Sequence, residues 1–368
     1  MSFRRVWALP YVVLLFPLDV VVAIFLLLAS AVAAVFDRRY PTKTGGHRPP
    51  LRRSPATIQI LNWDGKHLLA ECLPSVLEAV RADAGNHRVL VVDNGSTDGS
   101  VSLLKEHFPQ VRVLELDRNY GFGGGNNRGV EAVDTDVVIF LNNDMIVDRG
   151  FLTPLLDGFT DDTVFAVTSQ IFLEDSTKRR VETGKTRGDF KKGFFNLWHS
   201  DIDADDDRKM TLPVFWAGGG ACAIDIRKYR EIGGFDDLYH PAYVEDTDIS
   251  YQAWKRGWKC LLAPASRVVH KHRATSSRLY THRFVDNTIR RNLYLFIWKN
   301  VTDRQMLLDH ILSLPGTHGR AAMNGDGWFE VHAYVRAFLL LPRSVDRRLR
   351  NVGRYLLSDR EVLIRSQQ

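Results

Sequence analysis

From Val6 to Phe36 the chain is almost continuously apolar, and from Ala56 onward short apolar runs alternate with amphipathic ones. The first stretch carries one charge, Asp19, and is interrupted by Pro10 and Pro17. Its unbroken part, VVVAIFLLLASAVAAVF (Val20–Phe36), sits at the short end of a bilayer span, and Leu14–Leu18 extends it to a full one. Ala31-Val32-Ala33 resembles a signal cleavage site, but the apolar run is longer than a usual signal core. Arg4 and Arg5 precede it, while Arg38, Arg39, Lys43, Arg48, Arg52 and Arg53 follow. The positive-inside rule then keeps the C-terminal body in the cytoplasm. The expectation is a single-pass membrane anchor over 1–36 and a basic linker rich in Pro and Gly over 37–55.

The pattern that follows predicts strands over Ala56–Leu61, His87–Val92, Val111–Leu116 and Val137–Leu141. Helical spacing predicts helices over Lys66–Arg81, Asp98–Phe108 (capped by Thr97 or Asp98) and Asn126–Val133. A βαβαβ succession of these lengths argues for parallel strands covered on both faces. Ligands of such sheets bind beyond the carboxyl ends of the strands. The four loops there are Asn62-Trp63-Asp64-Gly65, Asp93 to Asp98, Arg118 to Asn127 and Asn142-Asn143-Asp144. All are polar, acidic or glycine-rich, more than turn chemistry alone requires.

Composition narrows the classes. The 368 residues carry 49 Lys+Arg against 43 Asp+Glu, a net +6 that is too thin for a nucleic-acid coat. At 45% hydrophobic and 25% charged, the chain is neither disordered nor a polytopic membrane bundle. Three cysteines without short spacing exclude a disulfide framework and a CxxC zinc site. The glycines from Gly121 do not fit a dinucleotide fingerprint, Gly218–Ala223 fits only its looser form far from the first strand, and no P-loop is present. Asp201, Asp203 and Asp205 mimic a calcium loop that fails at Asp206 and Leu212, so 201–207 is expected to be a solvated, mobile loop. The C-terminal part alternates apolar stretches such as 331–341 with many arginines. Amphipathic basic helices of this kind lie on membrane surfaces or pack on the domain with a basic face outward.

The segments VVDNGSTDGS, DRNYGFGGGNNRG, FLNNDMIV, GGFDD and YVEDTDISYQAWKRGW, in this order, resemble the family 2 glycosyltransferases, and specifically a rhamnosyltransferase-like branch serving cell-surface polysaccharide assembly. The resemblance covers about 56–300. It implies an α/β GT-A fold, a nucleotide-diphospho-sugar transferase with a Rossmann-like mixed sheet, over that range. The N-terminal transmembrane helix and a helical, basic extension over 301–368 flank it. The implied activity is inverting transfer from a UDP- or dTDP-sugar to a hydroxyl of a glycan acceptor, lipid-linked in the expected pathway. No nucleic acid is expected as a partner.

The resemblance also implies a site. Asp93 would accept from the base imide, flanked by Asn62 and Trp63, and Arg118, Asn119, Asn127 and Asn143 would surround the nucleotide. Asp144, the last residue of a DxD-type motif that reads Asn142-Asn143-Asp144 here, would bind Mg²⁺ or Mn²⁺ together with His270, with His272 in reserve. Asp246 is expected as the general base at a helix N-terminus, where the ionised carboxylate is favoured. Trp216, Asp236 and Glu245 are expected on the acceptor and donor-sugar side. Two other readings stay open: a catalytically degenerate sugar-nucleotide-binding module, favoured by the asparagines of the DxD-type motif, and a glycoside hydrolase using paired carboxylates.

Overall fold

A computed structural model of the protein describes residues 3–37, 51–174, 182–271 and 281–368. The chain divides into two compact units. One comprises 46–187, 198–279 and 364–368; the other comprises 1–45, 188–197 and 280–363.

The first of these is built on a mixed sheet. Its parallel half is β1 (Ala56–Asn62), β2 (Arg88–Asp93), β3 (Arg112–Glu115) and β4 (Val137–Asn142), in the order β3-β2-β1-β4. The helices α2 (Lys66–Ala82), α3 (Ser100–His107) and α4 (Gly121–Glu131) connect them. These strands are nearly continuous Val, Ile and Leu because both faces are covered, which the alternation of elements predicts. The other half adds β5 (Met145–Val147), β6 (Val164–Leu173), β9 (Leu212–Pro213), β10 (Ala221–Asp225) and β11 (Lys259–His270). Here β10 runs antiparallel to β4 and β6, β5 and β9 run antiparallel to β11, and β6 and β11 are parallel. The helices α5 (Leu152–Asp157), α7 (Ile226–Ile232) and α8 (Glu245–Lys255) complete the unit. Its core joins Ile58, Ile60, Leu73, Val76, Val91, Ile139, Leu141, Phe151, Leu155 and Val167.

Two local expectations are corrected. Helix α4 begins at Gly121, not Asn126, because tertiary groups satisfy its first N–H donors: Gly121 N donates to Asn119 Oδ1 and Phe122 N to the Pro241 carbonyl. The acidic run 201–207 is ordered. Asp203 and Asp206 form a capping box over α6 (Ala204–Asp207), Lys185 pairs with Asp206, and Arg267 lies 3.0 Å from Asp207.

The second unit is helical, with a hairpin. Its elements are α1 (Phe3–Asp37), α9 (His282–Asn300), α10 (Arg304–Met323), α11 (Gly327–Phe338), α12 (Leu341–Val352) and α13 (Asp359–Arg365), and most of the pair β7 (Thr186–Lys191) and β8 (Phe194–His199). Helix α1 contains Pro10 and Pro17 without a break. It packs along α10, α11 and α12, burying Leu15, Asp19, Val22, Leu26 and Ala29. The Asp19 carboxylate lies 3.1 Å from His318 Nε2. Helix α9 falls in this unit rather than in the α/β unit, where the range 56–300 would place it. Its buried Tyr294, Phe296 and Trp298 pack on Phe194, Phe195, His310 and Tyr334, and its remaining neighbours are α11 and α12.

Candidate active site

Strand register assembles the site at one edge of the α/β unit. Parallel pairing sets Asn62 beside Asp93 and Leu61 beside Asn142, so the ends of β1, β2 and β4 lie side by side. Antiparallel pairing of β10 with β4 brings the segment before Ala221 to the same edge, where Asn142 N donates to the Gly220 carbonyl at 2.8 Å. Pairing of β11 with β5 sets His270 against Met145, one residue beyond Asp144.

The nucleotide-side residues form a connected network. The buried Asn62 donates through Nδ2 to Asp93 Oδ1 (3.2 Å) and Ser96 Oγ (3.2 Å), and its Oδ1 accepts from Asn143 Nδ2 (2.8 Å). Asp93 Oδ2 accepts from Ser96 N at 3.0 Å. These bonds fix the orientation of a buried carboxylate at the strand ends. Asn143, the middle residue of the DxD-type motif, is thereby a donor within the network.

The next loop is locked by Asn94, within the VVDNGSTDGS segment. Its amide accepts from Tyr120 N (2.9 Å) and donates to Asn119 Oδ1 (3.0 Å) and the Gly121 carbonyl (3.2 Å). Gly95 sits at φ +76°, and a Cβ there would come within 2.6 Å of Arg118 Cα, so only glycine lets the two loops close on each other. Arg118 is exposed and lies 4.9 Å from the Tyr120 ring centre. Asn127 does not point its amide at this loop. It accepts from Tyr229 Oη (2.6 Å) and Phe235 N (3.0 Å) and donates to the Phe235 carbonyl (2.8 Å). It braces the Gly233–Phe235 turn, where Gly234 at φ +74° leaves room for it.

Asp144 and His270 come together. His270 Nε2 lies 3.3 Å from Asp144 Oδ2, and both are buried. His270 Nδ1 lies 2.8 Å from Glu182 Oε2, a residue that no sequence signal identified. Burial pushes the imidazole pKa down, but the bonds to the two carboxylates outweigh it and raise the value to about 9. A carboxylate on the far nitrogen of a histidine fixes ring orientation and raises ligand basicity. Among the described residues no group of three or more His, Cys, Asp or Glu is arranged as a complete metal cage. His272 lies outside the described residues.

Across this edge stands the acid pair. Tyr243 and Val244 both adopt φ 75°, strained for non-glycine residues and most of all for a β-branched one, immediately before Glu245 and Asp246 open α8. Asp246 is half-buried; its Oδ2 accepts from Gly219 N at 3.2 Å and its Oδ1 from Thr247 N at 2.7 Å. Burial raises its pKa, against those bonds. Glu245 is buried, its Oε2 has no hydrogen-bond partner, and burial followed by the neighbouring Asp246 drives its pKa well above the ordinary range. Asp248 is structural, bonded to Tyr239 Oη and Gln252 Nε2 at 2.8 Å each. Asp236 caps the 3₁₀ turn Asp237–Tyr239 through Leu238 N. Trp216 is buried edge-on to His199 and Phe215, with its backbone clamped by Thr186 Oγ1. Of the three residues expected on the acceptor and donor-sugar side, Glu245 adjoins Asp246 in the chain, while Asp236 and Trp216 have structural partners.

Residues 58–218 match the family model described as Glycosyl transferase family 2. The chain carries a family 2 glycosyltransferase domain. This glycosyltransferase is 28% identical over 209 residues to the N-acetylglucosaminyl-diphospho-decaprenol L-rhamnosyltransferase of Mycobacterium tuberculosis, covering 51% of this chain and 67% of the relative. It is 29% identical over 191 residues to the pre-mycofactocin glycosyltransferase of the same organism, covering 50% of this chain and 38% of the relative. Its fold is similar to that of GalNAc-T7 solved with UDP, GalNAc and Mn²⁺, with a TM-score of 0.55 at 16% identity, covering 84% of this chain and 62% of the other. It is also similar to a mannosyltransferase from Pyrobaculum calidifontis in complex with GDP-Man and Mn²⁺, with a TM-score of 0.51 at 15% identity, covering 99% and 97%. The GT-A fold expected from the motifs is therefore present, and helices follow it toward the C-terminus.

Proposed function

We propose that the protein is an inverting glycosyltransferase that moves a sugar from a UDP- or dTDP-sugar to a hydroxyl of a lipid-linked glycan acceptor in cell-surface polysaccharide assembly. The observation that carries this reading is the convergence, on one sheet edge, of the Asn62–Asp93 network, the Asp144–His270 pair and Asp246. Asp93, oriented by Asn62 and Ser96, accepts from a pyrimidine imide N–H. Arg118 and the loop locked by Asn94 close over the nucleotide.

One carboxylate oxygen and one imidazole nitrogen suit Mg²⁺ or Mn²⁺, ions that take one or two protein ligands and complete their shell with substrate phosphates and water. Asp144 and His270 would hold such an ion, which when bound neutralises charge developing on the departing diphosphate. Glu182 sets the ring so that Nε2 faces Asp144.

Asp246 takes the proton of the acceptor hydroxyl as that oxygen attacks the anomeric carbon. The new C–O bond forms as the bond to the diphosphate breaks on the opposite side, so the configuration inverts. Glu245, Asp236 and Trp216 border the acceptor. Similarity to the decaprenol-linked rhamnosyltransferase supports a lipid-linked acceptor. The apolar helix α1, whose span Ala8–Val32 is long and apolar enough for a membrane, and its arginine-rich flanks support attachment to the membrane with this domain on the cytoplasmic side.

The test is nucleotide binding by thermal shift of the purified chain with UDP, dTDP, GDP or NAD, each with Mn²⁺, Mg²⁺ or EDTA. Metal-dependent stabilisation by UDP or dTDP is expected. Indifference to every diphosphate would overturn the reading.

A further inference from the structure

We propose that α1 does not cross the bilayer but lies in its surface, docked on the helical unit by one face and on lipid by the other. The proposal rests on the membrane attachment proposed above and concerns only its geometry.

Helix α1 has two opposed stripes. Leu15, Asp19, Val22, Leu26 and Ala29, three and four residues apart, are buried on the neighbouring helices. Leu9, Val13, Phe16, Val20, Ile24 and Leu28 form the other stripe and are 43–62% exposed. One apolar face of the helix is thus covered by protein, and the other is open to lipid.

What covers the inner stripe decides against a span. Asp19 lies near the middle of the apolar stretch Ala8–Val32 and pairs with His318, whose other ring nitrogen is 3.2 Å from Glu330; Arg290 Nε is 2.9 Å from the same carboxylate. About 16 Å further along the helix, Ser30 Oγ accepts from Arg348 Nη2 at 3.1 Å, and Arg348 is fully buried. If α1 crossed the membrane in this packing, an Asp–His–Glu–Arg network would sit at the depth of the bilayer centre. Ionisable groups at that depth are costly unless they face a bundle interior or an aqueous cavity. The helices that carry them cannot form such a bundle, because among the described residues α1 is the one helix long and apolar enough to span. Laid in the surface, α1 keeps every one of these charges on the protein side.

The rest of the unit fits a lipid surface. Leu312, Trp328 and Leu339 are 77%, 67% and 71% exposed, and the Trp328 ring meets Tyr11 of α1 edge-on at 5.7 Å. Arg343 and Arg350 are exposed on α12, where Arg350 also pairs with Asp346 at 2.9 Å.

The experiment uses the full chain in bacterial cells, with Ser2→Cys before α1 and Gln368→Cys as a separate cytoplasmic reference. The native cysteines Cys72, Cys222 and Cys260 are all buried, so they contribute little labelling. Membrane fractions are collected, and intact and lysed spheroplasts are treated with a membrane-impermeant maleimide. The expected result is membrane-bound protein in which Ser2→Cys and Gln368→Cys both label only after lysis. Labelling of Ser2→Cys in intact spheroplasts, with Gln368→Cys still protected, overturns the in-plane geometry and leaves membrane attachment standing. Protein absent from the membrane fraction overturns the attachment itself.

Discussion

Asp144 Oδ2 and His270 Nε2 lie 3.3 Å apart although the two residues are far apart in the chain. The pairing of β5 with β11 brings them together, and Glu182 holds the far side of the imidazole. If this pair receives the cation, Asp144→Asn and His270→Ala abolish the Mn²⁺-dependent part of UDP or dTDP stabilisation. Glu182→Gln weakens metal affinity by about 10- to 100-fold, as loss of an outer carboxylate on a liganding histidine does. Calorimetric titration of Mn²⁺ in the presence of nucleotide measures all three, and unchanged affinity in His270→Ala would remove it from the site.

Asp246→Asn separates chemistry from binding. The carboxylate bonds Gly219 N and Thr247 N, contacts that the isosteric amide oxygen retains in part. Transfer should fall by about 10²- to 10⁴-fold, the usual worth of a general base. The nucleotide Kd should stay within a few-fold of the parent. Because burial raises the Asp246 pKa, the acid limb of kcat/KM should lie above the ordinary 3.8 of an aspartate, with activity rising as the carboxylate ionises. Retained turnover in Asp246→Asn would place the base elsewhere.

Glu245 makes folding stability pH-dependent in a definite direction. Its folded pKa is raised by burial and by Asp246, so the native state holds a proton that the unfolded chain has released. Its contribution to stability is then fully present below the ordinary 4.5 and declines as pH rises from there toward the raised value. Glu245→Gln removes this slope. Tm measured across that range for both proteins checks the prediction, and parallel curves would refute it.

Asn62 and Asn127 predict opposite phenotypes. Asn62→Ala frees the Asp93 carboxylate and should weaken nucleotide binding more than it lowers Tm. Asn127→Ala leaves Tyr229 Oη without its acceptor and the Phe235 carbonyl without the Nδ2 donor, while Phe235 N keeps only Tyr229 Oη, at a cost of about 1–3 kcal/mol of stability. Its effect on nucleotide Kd should be smaller than that of Asn62→Ala. Denaturant melts and nucleotide titrations of the two variants distinguish these outcomes.

The first half of the sheet was readable from the chain because both faces of its strands are buried. ATIQIL, RVLVV and VVIFL carry their signal in continuous apolar runs, and parallel pairing puts the loops after them on one edge. Asp93 and Asp144 follow such runs, whereas their expected roles and that of Asp246 came from the motif resemblance. What the chain alone determined was therefore the alternation of elements, the polar strand-end loops and the one apolar helix.

Tertiary structure decided what depends on pairing between distant segments. The antiparallel β10 and β11 bring Gly219 to Asp246 and His270 to Asp144. Helix α4 starts in glycines because Asn119 and Pro241 satisfy its first donors. Asn127 became a brace because Gly234 leaves space for its amide. Asp19 is the clearest case. In sequence it interrupts an apolar span, but in the fold it pairs with His318, which in turn meets Glu330, and a charge whose partner lies about 300 residues away is invisible to any local pattern.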